Sequence, residues 1–383
     1  MCTRHKAQDG RRGRAYDRKG VMGTLLITGG AGFIGTNLVG YVLKHTAHRV
    51  VILDKLTYAA NPLSREQWRA ERRVELIEAD VADRAAITQA LATTRPTAVL
   101  NLAAETHVDR SIESPDEFIR TNVNGTFVLL DAAWRYFAAL DMPDRQDFRF
   151  LHVSTDEVYG TLGAEGLFTE LTPYAPNSPY SASKAGADHL VRAYFHTYGF
   201  PTLITNCSNN YGPFQHPEKL VPLTILNALD GRELPIYGDG KNVRDWLHVE
   251  DHCAGILAVL DGGRPGEAYN IGASNEQTNL AMVDAICHIV EELRPPSANP
   301  ALRQAAAAHY ADLKRFVTDR PGHDQRYAVD ATKLRRELGW SPRHSFHDGL
   351  RETAMWYLAH PEWCQATRTT YDRQRLGLIT NRP

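Results

Sequence analysis

Tyr180 and Lys184 have the residue types and the spacing of a proton-transfer site. Ser178 is a suitable N-cap and Pro179 fits the first position of a helix, which places the tyrosine and the lysine on one helix face. A free tyrosine is a poor base at neutral pH because its pKa is about 10. A neighbouring ammonium group favours the phenolate. Tyr180 can therefore accept a proton from a hydroxyl group while hydride leaves the same carbon.

A second chemical group, Thr155, Asp156 and Glu157, follows the apolar run 150–153. Open α/β sheets place chemistry at the carboxyl ends of strands, where Thr155 can hydrogen-bond the hydroxyl group that Tyr180 deprotonates. Two close carboxyl groups tend to separate their pKa values, which gives one acid and one base. Such a pair suits the elimination of water from neighbouring carbons. The alternative, a solvated acidic turn, fits poorly after an apolar strand.

Gly29, Gly32 and Gly35 follow the apolar run 24–28 in the spacing G-x-x-G-x-x-G. Glycines in such a turn permit a tight bend, a close approach of the backbone to pyrophosphate, and close packing of a helix on a strand. The N–H groups that begin the next helix attract phosphate. The turn therefore predicts a dinucleotide site.

Asp54 lies 19 residues after Gly35, near the spacing expected of an acid that binds ribose. An acid at this position favours NAD over NADP because it would repel a 2′-phosphate. Asp80 and Val81 end the third apolar run and are expected to meet the adenine. The alternative for both acids is ordinary capping of strand ends.

Apolar runs alternate with segments of helical spacing over the first half of the chain. The runs are 24–28, 50–53, 74–78, 98–102, 150–153 and 202–206. This alternation predicts an α/β fold with a Rossmann-type doubly wound, mainly parallel sheet. After residue 206 Pro and Gly become frequent, which favours loops and short helices.

Composition narrows the function classes. The chain has 383 residues, of which 43% are hydrophobic, and a formal net charge of −2. We expect no nucleic-acid partner from this balance, and no membrane partner because no run approaches about 20 apolar residues. Residues 1–21 hold seven Lys or Arg and two Asp. This segment could be a nucleic-acid arm, a targeting peptide or a disordered extension, and Met22 directly before the first strand favours the extension.

The five cysteines contain no C-x-x-C pair. Neither zinc binding nor a disulfide framework is expected, so we predict no metal site. Small buried thiols in a reducing cytoplasm are the simplest interpretation.

Eight motifs, in chain order, resemble the dTDP-glucose 4,6-dehydratases of the extended short-chain dehydrogenase/reductase superfamily, over about residues 23–360. The motifs are 28–35 (TGGAGFIG), 101–111 (NLAAETHVDRS), 154–160 (STDEVYG), 179–184 (PYSASK), 206–213 (NCSNNYGP), 217–220 (PEKL), 237–246 (YGDGKNVRDW) and 319–327 (DRPGHDQRY).

The resemblance implies an NAD-dependent enzyme that converts dTDP-glucose to a 4-keto-6-deoxy sugar nucleotide. Tyr180, aided by Lys184, would oxidise C4 by passing hydride to NAD⁺. The C4 ketone would acidify the C5 proton, which Glu157 would remove while Asp156 protonates the departing C6 hydroxyl. Hydride would then return to C6, and Glu157 would reprotonate C5.

The resemblance also implies contact residues and a homodimer. The cofactor set is Gly29, Gly32, Phe33, Ile34, Gly35, Asp54, Asp80, Val81, Ala103, Tyr180 and Lys184. The substrate set is Glu105, His107, Asn209, Lys219, Leu220, Tyr237, Arg244, Asn279, Arg320 and His323. An arginine can grip a diphosphate through two hydrogen bonds, which suits Arg244 and Arg320.

Domain boundaries follow from the same comparison. We expect a basic, disordered extension over 1–22 and an NAD-binding Rossmann domain over 23–206. A smaller C-terminal nucleotide-sugar-binding domain is expected over 207–360, with residues 241–272 returning to the Rossmann domain. Residues 361–383 are expected to form a surface tail.

Several alternative functions use a similar NAD-binding scaffold. A sugar-nucleotide 4-epimerase or a uronate decarboxylase on the same scaffold would usually lack the Asp156–Glu157 pair, and a non-catalytic NAD-binding regulator typically loses the tyrosine or the lysine. A dehydratase of UDP- or CDP-glucose stays open. The chain also departs from the family at Asn101, where histidine is common, and at Thr106, where serine is common, which blurs the substrate inference.

Overall fold

A computed structural model describes residues 22–369 together with residues 371 and 373, so the expectation for the basic segment 1–21 lies outside the described residues. The strands are β1 (Thr24–Thr28), β2 (Arg49–Asp54), β3 (Val74–Glu78), β4 (Ala98–Asn101), β5 (Arg149–Thr155), β6 (Thr202–Cys207), β7 (Asn209–Tyr211), β8 (Leu234–Tyr237), β9 (Val243–His248), β10 (Ala268–Ile271), β11 (Glu276–Thr278) and β12 (Lys314–Val317).

The helices lie mainly between the strands. They are α1 (Phe33–His45), α2 (Ser64–Arg69), α3 (Arg84–Thr94), α4 (Val108–Glu113), α5 (Pro115–Phe118), α6 (Thr126–Ala138), α7 (Met142–Asp147), α8 (Pro179–Tyr198), α9 (Leu220–Leu229), α10 (Val249–Gly262), α11 (Asn279–Leu293), α12 (Pro300–Gln304), α13 (Thr332–Leu338), α14 (Phe346–Ala359) and α15 (Pro361–Thr367). A π-helical stretch, Ile119–Gly125, leads into α6, and a 3₁₀ turn, Asp156–Tyr159, follows β5.

Seven strands form one parallel sheet in the order β10-β6-β5-β4-β1-β2-β3. The predicted doubly wound parallel sheet is therefore confirmed. The sheet is buried on both faces: Leu25 and Ile27 of β1 belong to one hydrophobic cluster and Leu26 to another. Burial of both faces explains why these strands are continuous apolar runs. The strand order reverses between β1 and β4, and ligands of such folds bind at this switch point.

A smaller region covers the carboxyl ends of the large sheet. It contains a three-stranded sheet, β11-β9-β7, and the parallel pair β12-β8. Its hydrophobic cluster includes buried side chains of α9, α11 and α14. The segment after β9 returns to the large sheet, where β10 pairs with β6 in parallel.

Residues 361–367 differ from the expected surface tail. Helix α15 packs into the cluster of the smaller region, where Trp363 and Cys364 are only 2% and 6% exposed. This helix has only seven residues and few apolar side chains, so the helical signal in the sequence is weak. Within the described part of the chain, no helix combines the length and the apolar character that membrane crossing requires.

Candidate active site

A cavity of about 290 Å³ opens at the switch point of the large sheet. Its walls come from the ends of β1, β2, β4, β5 and β6, the first turn of α1, α8, and the segment before α9. The predicted glycine turn and the predicted catalytic residues therefore border the same space.

The three predicted glycines have three different surroundings. Gly29 has φ +69°, and a Cβ there would lie 2.6 Å from the backbone N of Ala103. A Cβ on Gly35 would lie 2.2 Å from the carbonyl O of Gly29. Gly32 borders the cavity, and a Cβ there would meet only one described atom within 4 Å, the Gly29 O at 3.3 Å. The open side of Gly32 and the first N–H groups of α1 form a cradle for pyrophosphate, so the turn fits a dinucleotide.

Asp54 braces this turn. One carboxylate oxygen accepts a hydrogen bond from the backbone N of Ala31 at 3.0 Å, and the other accepts from the backbone N of Leu56 at 2.8 Å. Burial raises the pKa of Asp54, and these two N–H groups oppose that shift.

The other predicted cofactor residues divide into two groups. Phe33, Ile34, Val81 and Ala103 line the cavity. Asp80 is not among the lining residues, and its carboxylate accepts hydrogen bonds from Arg120 at 2.8 Å and from the backbone N of Ala82 at 2.8 Å.

Tyr180 and Lys184 lie on α8 as predicted, and both line the cavity. Ser178 caps the helix: its side chain accepts a hydrogen bond from the backbone N of Ser181, whose side chain accepts from the backbone N of Ser178. Pro179 occupies the first helical position. This cap fixes the start of the helix one residue before Tyr180.

The surroundings of Tyr180 differ from the sequence expectation. Burial and the nearby Glu157 carboxylate raise the pKa of Tyr180, and Thr155 lowers it by a hydrogen bond. The Lys184 ammonium donates to the carbonyl O of Val153 at 2.8 Å. The phenolate form of Tyr180 therefore becomes favourable only when a further positive charge, besides Lys184, lies in the cavity.

A buried polar network lies behind Lys184. The ammonium N of Lys184 is 3.3 Å from Nε2 of His152, and the same Nε2 is 3.4 Å from a carboxylate oxygen of Asp188. The other oxygen of Asp188 accepts hydrogen bonds from Ser154 Oγ at 2.8 Å and from Tyr174 OH at 3.0 Å. Burial lowers the pKa of Lys184, and Asp188 raises it. Asp188 thus helps Lys184 to keep its charge.

The acidic pair begins the 3₁₀ turn at the end of β5. Burial raises the pKa of Asp156 well above its usual range, and Glu157 and Asp245 add to the shift. Asp156 Oδ1 lies 3.3 Å from Thr155 Oγ1, and its other oxygen is buried without a hydrogen-bond partner among the described residues. We call Thr155, Asp156, Glu157, Tyr180 and Lys184 the catalytic floor.

Three cations surround Glu157, although the pair has no basic neighbour in the sequence. Burial raises the pKa of Glu157, whereas Arg320, Arg244 and Lys219 lower it, in that order. Arg244 stacks over the Tyr327 ring at 4.3 Å, and Lys219 donates to the carbonyl O of Thr106 at 2.8 Å. We call Lys219, Arg244 and Arg320 the cationic wall.

Three predicted substrate residues carry buried polar atoms that have no hydrogen-bond partner within the described chain. They are His107 Nδ1, Asn209 Oδ1 and Arg320 Nε. Buried polar atoms are nearly always hydrogen-bonded in a complete structure. These atoms are therefore available to a polar ligand.

The remaining substrate predictions have mixed placements. Glu105, Asn209 and Lys219 line the cavity, whereas His107, Leu220, Tyr237, Arg244, Asn279, Arg320 and His323 lie outside its lining. Tyr237 and Arg320 both hydrogen-bond Asp109, at 3.1 and 3.3 Å. His323 pairs with Asp319 at 2.6 Å.

Comparison with known proteins agrees with this geometry. The family model described as GDP-mannose 4,6 dehydratase matches residues 26–353. The dTDP-glucose 4,6-dehydratase of Neisseria meningitidis is 53% identical over 358 residues, which cover 93% of this chain and 99% of that protein.

The chain belongs to the dTDP-glucose 4,6-dehydratase family.

Solved structures show why the residues matter more than the fold within this superfamily. The dTDP-glucose 4,6-dehydratase of Streptomyces venezuelae, solved with NAD and dTDP bound, is 44% identical and has a TM-score of 0.78, covering 89% of this chain and 98% of that one. A UDP-glucose 4-epimerase of Thermotoga maritima reaches a TM-score of 0.75 at 25% identity, covering 88% and 99%. The two scores are nearly equal, so the fold alone does not separate a dehydratase from an epimerase.

Some site residues of this dehydratase family member were missed from the sequence. Lys55 and Thr121 line the cavity and lie 3.3 Å apart, and Lys55 pairs with Glu105 at 3.6 Å. His152 and Asp188 support Lys184 from behind. Asp188 could have been found, because it lies four residues after Lys184 on the same helix. Cys207 also lines the cavity, and burial raises the pKa of its thiol to about 12.

Proposed function

We propose that this protein is an NAD-dependent dTDP-glucose 4,6-dehydratase, which converts dTDP-glucose to dTDP-4-keto-6-deoxyglucose and water. The observation that carries this function is the pair of the buried Asp156 and the half-buried Glu157 beside Tyr180, in one cavity with the glycine turn. About half of the aligned residues are identical to those of the dTDP-glucose dehydratase relatives.

The first step is oxidation at C4. Bound NAD⁺ supplies a hydride acceptor for C4 and, once reduced, the hydride for C6. Gly29, Gly32 and Gly35 would hold its pyrophosphate, and Asp54 its ribose. Tyr180 takes the proton of the C4 hydroxyl, and Thr155 orients that hydroxyl.

Elimination follows across C5 and C6. The C4 ketone acidifies the C5 proton, which Glu157 removes. Asp156 gives its proton to the C6 hydroxyl, which leaves as water. The raised pKa of Asp156 keeps this proton in place at neutral pH, and the cations around Glu157 favour its ionised form.

The cycle closes when C6 gains hydride and Glu157 returns its proton to C5. The sugar has then lost one water molecule and no net hydride. At the end of this cycle Tyr180 holds one extra proton and Asp156 lacks one. A proton therefore passes from the Tyr180 hydroxyl to the Asp156 carboxylate before the next turnover.

The cationic wall would bind the diphosphate of the substrate. The planar guanidinium groups of Arg244 and Arg320 suit phosphate oxygens. Arg320 Nε is buried and has no partner in the described chain, so it offers a donor to this ligand. The nucleotide part of the substrate would also be contacted by His323, Tyr237, Asn279 and Leu220. The sugar would be contacted by Glu105, His107 and Asn209.

The substrate is tested with dTDP-, UDP- and CDP-glucose side by side. We expect a 4-keto product, which absorbs in the near ultraviolet in alkali, from dTDP-glucose at the highest kcat/KM. A 4-epimerised glucose product or no product at all would sink the proposal. Preference for UDP- or CDP-glucose would keep the reaction and change the nucleotide.

A homodimer is the second part of this proposal. Ile119, Phe127 and Tyr198 are 53%, 39% and 50% exposed, on the segments that form α6 and α8 and their approaches. We expect Phe127→Glu to turn a dimer into a monomer in light scattering after gel filtration. Met355→Glu, on α14 at 48% exposure, is the matched control. A wild-type protein that runs as a monomer contradicts this part.

Activity in the cytoplasm is the third part. The four described cysteines are free and buried, as in proteins of reducing compartments. Cell fractionation tests this placement, and recovery of the protein outside the cytoplasmic fraction would contradict it.

A further inference from the structure

The loop between Asp54 and Asn61 borders the cavity on its cofactor side through Lys55, Thr57, Ala59 and Ala60. We call residues 55–60 the cofactor-side loop. Leu56 in this loop has φ +52°, a left-handed conformation that costs a non-glycine residue about 1 kcal/mol or more. Its backbone N donates to Asp54 at 2.8 Å. A loop with such strain needs contacts that hold it in place.

Asn61 supplies one end of that support, and it is 4% exposed. Its backbone N donates to the carbonyl O of Ala31, in the glycine turn, at 2.7 Å. Its amide N donates to Gln67 Oε1 at 2.8 Å, and its amide O accepts from the backbone N of Leu63 at 3.1 Å. Asn61 therefore ties the loop to the phosphate cradle.

The last helix reaches the same amide. The indole N of Trp363 donates to the amide O of Asn61 at 3.0 Å, across 302 positions of sequence. The Trp363 ring packs between Trp356 at 5.2 Å and Phe214 at 6.3 Å, measured between ring centroids. The indole is thus fixed by packing, and its N–H points at a residue that fixes the loop.

A separate contact holds the loop from the substrate side. The Arg110 guanidinium stacks on the Tyr58 ring at 4.0 Å, and its Nε donates to Glu218 at 3.2 Å. Loss of the Trp363 hydrogen bond would therefore loosen the loop near Asn61 and leave Tyr58 in place. The expected effect is on the release of a ligand from the cofactor side.

We propose that Trp363 is a positioning residue for the cofactor-side loop, and that helix α15 thereby slows the dissociation of NAD. This inference rests on the NAD site of the proposed function. The loop must open for NAD to leave, and the Trp363–Asn61 hydrogen bond stabilises its closed form. The C-terminal helix, which adds no side chain to the cavity lining, controls cofactor retention from outside.

The test is Trp363→Phe, which keeps an aromatic ring and removes the N–H donor. One neutral hydrogen bond contributes about 0.5–1.5 kcal/mol, so we expect NAD to dissociate about 3- to 10-fold faster. NAD release is measured without the sugar substrate. The protein with bound NAD is diluted into a solution that captures free NAD. Steady-state assays should show a raised KM for added NAD, with activity restored by excess NAD.

Trp340→Phe is the matched control, since it also removes a buried indole N–H donor, which here bonds the carbonyl O of Asp251 in α10 at 3.1 Å. Equal NAD release rates in the two variants would overturn the proposal. Asn61→Ala should reproduce the effect of Trp363→Phe, and the double variant should release NAD no faster than the faster single variant. Additive rates would also overturn it.

Thermal unfolding of each variant separates loop loosening from loss of the fold. If Trp363→Phe unfolds, the comparison of Asn61→Ala with Trp340→Phe decides the same question. NAD release is measured without turnover, so a negative result leaves the dehydratase proposal intact. A wild-type protein that binds no NAD would instead defeat the dehydratase proposal itself.

Discussion

The catalytic floor holds two carboxyl groups, and the cationic wall holds three basic side chains whose charges act on one of them, Glu157. Asp156 and Glu157 of the floor are neighbours in sequence, whereas Lys219, Arg244 and Arg320 of the wall come from three distant segments. The floor residues lie in β5, the turn after it and α8, whereas the wall residues lie before α9, in β9 and after β12. The acidic pair is therefore visible in the sequence, and the cations around it depend on tertiary structure.

The difference also explains how two adjacent carboxyl groups obtain different roles. All three wall cations lower the pKa of Glu157, whereas Arg244 alone among them opposes the rise at Asp156. Two carboxylates, Glu157 and Asp245, add to the rise in the pKa of Asp156. This difference supports the proposed roles of Glu157 as the base and Asp156 as the acid.

The largest effect should come from breaking the floor alone with Tyr180→Phe. A phenyl ring cannot accept the C4 proton, so we expect kcat to fall about 10³- to 10⁴-fold. The wall is untouched, so the dissociation constant of dTDP-glucose should change less than about threefold. Product formation and calorimetric binding measure the two quantities. Near-normal turnover would remove Tyr180 from the mechanism.

Glu157→Gln should separate the oxidation at C4 from the steps that follow it. The amide cannot remove the C5 proton, so we expect overall turnover to fall about 10²- to 10³-fold while C4 oxidation continues. Enzyme-bound NADH should then accumulate, which is seen as absorbance near 340 nm after mixing with dTDP-glucose. An unchanged overall rate, without NADH absorbance, would contradict the role of Glu157.

Arg320→Gln breaks the wall and tests its link to the floor. A hydrogen bond to a charged group contributes about 1.5–3 kcal/mol, so KM for dTDP-glucose should rise about 10- to 100-fold. Loss of this cation should also raise the pKa of Glu157, which Arg244, Lys219 and Asp324 would then set. Glu157 must be ionised, so the acidic limb of the pH–rate profile should move to higher pH.

The matched control for that experiment is Arg315→Gln. Arg315 forms a surface ion pair with Glu233, and both side chains are mostly exposed. Its loss should change neither KM nor the pH–rate profile. An acidic limb at the same pH in Arg320→Gln and in wild type would show that the wall does not tune the floor.

Asp156→Asn should give the smallest effect, on stability. The pKa of Asp156 is raised on folding, so wild-type stability is complete below the unfolded carboxyl pKa and falls as pH rises through the folded pKa. The amide escapes this loss, and we expect about 1 kcal/mol higher free energy of unfolding at alkaline pH. Denaturant-induced unfolding should show that the difference in unfolding free energy between Asp156→Asn and wild type shrinks toward pH 4. A difference that does not change with pH would contradict the raised pKa of Asp156.

Local spacing was sufficient to predict the sheet, the glycine turn, Asp54 and the Tyr180–Lys184 pair. Each depends on contacts within a strand, a helix or one strand–helix unit, where periodicity and turn chemistry act directly. The glycines of the turn, Asp54, Tyr180 and Lys184 all line one cavity.

The sequence was less informative where a side chain chooses among distant partners. Asp80 turns to Arg120, 40 positions away, and the Lys184 ammonium bonds Val153 O and lies beside His152. Trp363 meets Asn61 across 302 positions, so a segment expected to be a tail became part of the fold. The partner of each of these side chains depends on the packed tertiary structure. The spacing of residues along one sequence does not reveal it.

Cys207 places a sulfur atom in the lining of the reaction cavity. Burial raises the pKa of this thiol to about 12, which favours the neutral thiol at pH 7, and Cys207 Sγ donates to the carbonyl O of Ser154 at 3.4 Å. Alkylating agents and peroxide act on thiolates. The enzyme should therefore keep its activity through oxidative stress that inactivates enzymes with acidic active-site cysteines.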